Sequence, residues 1–110
     1  MNIHEKFMDE TIFAIENIIR YKHASLITVK KIRNLYNINP LDSSKINFYW
    51  RSLQTLEKTG ILKSYGSKNP KKFQVLNFFK FFELFYEVFI RYHTKRTSII
   101  DLMDSQLKSL

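Results

Sequence analysis

Two glycines and two prolines are all the chain break-formers in 110 residues. Gly60, Gly66, Pro40 and Pro70 are therefore where sharp changes of direction concentrate. So little turn chemistry argues against long loops, β-sandwiches and disordered tails, and favours a few long elements joined tightly. At 45% hydrophobic and 25% charged, the chain suits one globular domain with a modest core.

Between those breaks the hydrophobic pattern is mainly helical. Met8, Ile12, Ile15 and Ile19, joined by Thr11 and Ile18, mark one side of a first helix over about residues 5–21. Asp9, Glu16 and Arg20 fall opposite and are expected in solvent. Ser25-Leu26-Ile27 reads as a short extended piece, and Thr28 is placed to cap a second helix over 29–36. In that helix Ile32, Leu35 and Tyr36 face inward while Lys30 and Asn34 face out. Asn39-Pro40 ends this region, because a residue before proline is pushed out of the helical range.

Asp42 or Ser43 can cap a third helix, over about 44–59, which Gly60 ends in the left-handed position. Steps of about 100° put Ile46, Tyr49, Trp50, Leu53 and Leu56 on one face. Ser44, Asn47, Phe48, Arg51, Thr55 and Lys58 fall on the other. Residues 61–65 and 72–76 are strand-like and flank the polar turn Gly66-Ser67-Lys68-Asn69-Pro70-Lys71, a hairpin with a basic tip. The fold class is thus mainly α with a small β-hairpin (α+β).

The stretch Trp50-Arg51-Ser52-Leu53-Gln54-Thr55-Leu56-Glu57-Lys58-Thr59-Gly60-Ile61-Leu62-Lys63 resembles the junction of recognition helix and wing in the winged helix-turn-helix superfamily. The pattern there is Leu-x-x-Leu-Glu-x-x-Gly-Ile/Leu-Leu/Ile. Within that superfamily the chain is similar to small dimeric regulators of the PadR-like type and to the bacterial replication terminator protein. Those carry a Tyr-x-Ser-Leu-like run before the glycine and a dimerising helix after the wing. The resemblance spans about residues 10–91, and residues 37–44 are longer than the tight turn of many relatives. It implies a winged helix-turn-helix domain over 1–77, with the recognition helix at 44–59 and the wing at 61–76. Residues 78–110 would then supply C-terminal helices for core closure and dimerisation.

The charge distribution points the same way. The net charge is +8, and residues 61–77 hold four lysines and no acid. Residues 25–60 hold six basic residues against two acidic ones. A phosphate polyanion is the natural partner for such a region, although a basic face can also serve solubility alone. On the third helix Arg51 is suited to a bidentate contact with guanine and Asn47 to adenine. Phe48 can meet a thymine methyl or pack on the second helix. Ser44 and Lys45, with Thr28 and Lys30 of the second helix, are candidates for phosphate contact. Lys58 and Thr55 complete the exposed row, and Lys68, Lys71 and Lys72 arm the wing.

From residue 78 to 93 the apolar side chains cover an arc of about 240°, far wider than the roughly 100° that packing on one core requires. Phe78, Phe81, Phe85 and Phe89 can close the core, leaving Phe79, Phe82, Tyr86 and Ile90 for another surface. Ser98 can cap a last helix carrying Ile99, Met103 and Leu107, which either joins a two-fold interface or folds back within the monomer. Four charges interrupt the apolar segment, which argues against a membrane span.

Cysteine is absent, and His4, His23 and His93 lack metal-ligand spacing. Neither a Gly-rich phosphate loop nor a nucleophile motif occurs, so an enzyme and a bound cofactor are not expected. Nothing at the N-terminus reads as a secretion signal, and the expectation is a cytoplasmic protein. The expected function is sequence-specific double-stranded DNA binding by a homodimeric transcriptional regulator, most simply a repressor. Two alternatives use the same features: a plasmid or viral accessory factor for replication or partition, and a winged-helix protein-interaction module.

Overall fold

The computed structural model describes residues 2–22, 26–66 and 71–96. The described residues are mainly helical, with four helices and one two-stranded antiparallel sheet among them. In chain order these are α1 (Ile3–Lys22), α2 (Val29–Leu35), α3 (Ser43–Lys58), β1 (Leu62–Tyr65), β2 (Lys72–Val75) and α4 (Phe78–Arg96). Residues 67–70 of the hairpin tip, Lys68 among them, lie outside the described residues, as do Ile99, Met103, Leu107 and the expected last helix.

Local chemistry explains most boundaries. Thr28 caps α2, its hydroxyl oxygen accepting the Lys31 N–H at 3.2 Å. Asp42 caps α3 in the same way through the Lys45 N–H. Both helices end in the left-handed motif in which two N–H groups reach back to the last turn. In α2 it is Asn37 at φ 54 that makes the turn, with the Ile38 N–H donating to the Arg33 carbonyl at 2.9 Å. In α3 it is Gly60 at φ 81, with the Ile61 N–H donating to the Leu56 carbonyl at 3.0 Å. Asn77 caps α4 by accepting the Lys80 N–H.

The hairpin pairs Leu62 with Val75 and Tyr65 with Lys72. Ile27 forms an isolated antiparallel bridge to Phe73, exchanging both backbone hydrogen bonds at 2.8 Å. The extended piece between α1 and α2 is thereby tied to the far strand of the hairpin.

The core lies around α1, which packs against α2, α3 and α4. Ile12, Ile15 and Ile18 of α1 meet Ile32, Leu53, Phe73, Phe81 and Val88 there. Two expectations for α1 are corrected. Asp9 and Glu16 are buried, not solvent-facing. Neighbours on several sides cover this part of α1, and these two acids are held by arginines: Asp9 by Arg91 of α4 at 2.7 Å, and Glu16 by Arg20 one turn on. A third correction concerns α4. Phe81 is buried as expected, but Phe78 is exposed and Val88 takes an inward place in its stead. Phe85 and Phe89 are only half-buried.

Candidate nucleic-acid interface

One side of α3 is sealed. Tyr49 is buried, and its hydroxyl donates to Glu10 Oε2 of α1 at 2.7 Å. Leu53 and Leu56 lie in the core beside it. Ser52 is also buried, a position the helical pattern left unassigned, and its hydroxyl donates to the Phe48 carbonyl. The other side of α3 is open: Ser44, Lys45, Asn47, Arg51, Thr55 and Lys58 are all exposed.

Phe48 does not belong to that open row. Its ring stacks on Phe7 of α1 at 4.8 Å and 4° and meets His4 edge-on at 5.3 Å. It packs against the first helix, not the second, because α1 crosses α3 at that height. Arg51 lies on its outer side, the guanidinium 5.9 Å from the ring centre. Phe7, Phe48 and Arg51 thus form a stack that restrains Arg51 without covering it; such a cation–π contact contributes about 0.5–1 kcal/mol at an exposed site. Lys45 is partly occupied, its ammonium 3.9 Å from Asp42. The Thr55 hydroxyl donates to the Arg51 carbonyl at 3.0 Å, one turn back along the helix.

An open cleft of about 690 Å³ separates the beginnings of α2 and α3 from the hairpin. Thr28 and Lys30 line it from α2, Ser44, Asn47 and Trp50 from α3, and Lys71 from the hairpin. Five of the expected contact residues therefore share one cavity. Thr28 plays a different part from the one expected: it is buried, and its hydroxyl oxygen is engaged in capping α2. Lys30 is exposed at the rim.

Trp50 was expected in the core. It is half-buried instead, edge-on to Phe73 at 5.9 Å, and lines the cleft. Lys71 is not a loose tip lysine either. Its ammonium sits 5.4 Å from the Trp50 ring centre and 5.8 Å from that of Phe73, and 3.8 Å from Glu57 Oε1. Lys72 is exposed on β2 opposite Tyr65, whose ring lies 5.2 Å from the Lys63 ammonium.

Glu57 was missing from the sequence reading of the site. It accepts the Ser64 N–H at Oε2, 3.1 Å, while facing Lys71. Hydrogen bonding from Ser64, aided by the charge of Lys71, holds its carboxyl below the usual carboxylate range. Its place one turn before Gly60, facing the start of a hairpin rich in lysine, was the available signal.

On α4, Phe79, Phe82, Tyr86 and Ile90 are exposed, from 38% for Phe82 to 79% for Phe79. With Phe78 they make a nearly continuous apolar surface. Among the described residues no helix is long and apolar enough to cross a membrane, and no cluster of His, Asp or Glu could hold a metal ion. In comparisons with known proteins no family model, no curated protein and no solved structure matches the chain.

Proposed function

We propose that the chain is a sequence-specific double-stranded DNA-binding protein of the winged helix-turn-helix type, acting in the cytoplasm as a homodimeric transcriptional regulator. Its simplest action is repression by occlusion, a binding function and not an enzymatic one. One observation carries the reading: Ser44 and Asn47 of the exposed row share a cleft with Lys30 and Lys71 while the opposite face of α3 is locked into the core. An α-helix fits the major groove of B-form DNA, and an anchored helix with free donors and flanking lysines suits that groove and its phosphates. The element order supports the same reading, with α3 as recognition helix, the β1–β2 hairpin as wing and Ile27 as the remnant of a third strand. The exposed aromatic row of α4 supports a second copy as partner.

Duplex binding in rising salt is the test, because phosphate neutralisation makes affinity fall steeply as salt increases. Failure to retain any duplex at low salt would overturn the proposal. Arg51→Ala is expected to flatten sequence preference, with a loss of about 1–3 kcal/mol at one base pair. Lys30→Ala is expected to weaken all duplexes by a similar factor and reduce the salt slope by about 1. The opposite pattern would mean that α3 grips the backbone and α2 reads the bases.

A further inference from the structure

A carboxylate on a surface that binds phosphate subtracts from attraction, so its presence there calls for a compensating gain. Glu57, in the last turn of α3, is such a group. Its two oxygens face different legs of the hairpin: Oε2 accepts the N–H of Ser64 in β1, and Oε1 faces Lys71, the residue before β2. Lys71 is steadied further by the rings of Trp50 and Phe73. A single side chain thus ties both legs of the hairpin to the end of α3.

We infer that Glu57 is a positioning residue that fixes the angle between the hairpin and α3, and that it serves discrimination between duplexes, not affinity for them. The inference rests on the reading of α3 and the hairpin as two arms of one DNA interface. With the angle free, each arm can settle on whatever phosphates are near, which any sequence offers. With the angle fixed, only a duplex whose groove width and base edges suit both arms can engage them together.

The test uses the full chain, a duplex that the wild-type protein selects from a random pool, and a shuffled duplex of the same composition. Affinities for both are measured by fluorescence anisotropy, and exchange of the Ser64 N–H is followed by NMR. Glu57→Ala removes both contacts; Glu57→Gln keeps an acceptor for Ser64 but loses the charge facing Lys71. For Glu57→Ala we expect a loss of about tenfold in preference for the selected duplex, the scale of one base contact. Affinity for the shuffled duplex should hold or rise, and Ser64 should exchange faster. Glu57→Gln should lose preference in the same direction by a smaller factor, and it decides the matter if Glu57→Ala does not fold. Wild-type preference in both variants, or an equal gain of affinity for both duplexes, would overturn the inference and leave DNA binding standing. A wild-type protein that selects no duplex would overturn both.

Discussion

Two tyrosine hydroxyls converge on one residue of α1. Tyr36 donates to the Glu10 carbonyl at 2.6 Å and Tyr49 to Glu10 Oε2 at 2.7 Å, with the two rings stacked 6.0 Å apart. Burial, and after it the neighbouring Glu10 carboxylate, raises the pKa of both phenols well above the ordinary tyrosine value. The folded state therefore keeps protons that the unfolded chain releases near pH 10. The stability these groups contribute is complete below that pH and is lost as pH rises beyond it. Thermal melts should show a wild-type protein that weakens above about pH 10. Tyr49→Phe should cost about 1 kcal/mol at neutral pH, the worth of one hydrogen bond, and should weaken less steeply in alkali. A Tyr49→Phe melting curve that tracks wild type from neutral to alkaline pH would defeat this account of Glu10.

Both ends of α3 are specified locally, by Asp42 and by Gly60. Gly60 sits at φ 81, and a Cβ built there meets nothing within 4 Å. The cost of Gly60→Ala is therefore backbone strain without a clash, about 1–2 kcal/mol. A calorimetric melt that leaves stability unchanged would show that the turn relaxes to another conformation. Such ends were legible in the sequence because their chemistry spans three or four residues: Thr28, Asp42 and Gly60 all stand where local rules place them. The hairpin was legible for the same reason. What the sequence concealed is how many neighbours each helix has. Asp9 and Glu16 look like solvent residues on a helix packed on one side, yet α1 is packed on several. Phe48 had two readings, an exposed contact or packing on α2, and α1 covers it instead; on α4 Val88, not Phe78, faces inward. At the candidate site the exposed row of α3 was readable from periodicity, whereas the placing of Lys71 over Trp50 joins residues 21 positions apart and has no local signature.

The apolar row on α4 bears on assembly. Phe79, Phe82, Tyr86 and Ile90 together form more exposed aromatic and aliphatic surface than isolated surface residues account for. If a second copy covers it, wild-type protein sediments at twice the chain mass and Tyr86→Glu sediments as a monomer with its melting intact. Wild type running as a monomer at every concentration would remove the dimer from the proposal. A two-fold pair would set its recognition helices about 34 Å apart, one turn of DNA. The ion pair between Asp9 and Arg91 spans time as well as space. It joins residues 82 positions apart, near opposite ends of the described fold. Synthesis at about 5–20 residues per second leaves roughly 4–16 s between the two. For that interval α1 exists without the helix that covers it and without the cation that answers its buried acid. The cover over Asp9 can close only once α4 has been made.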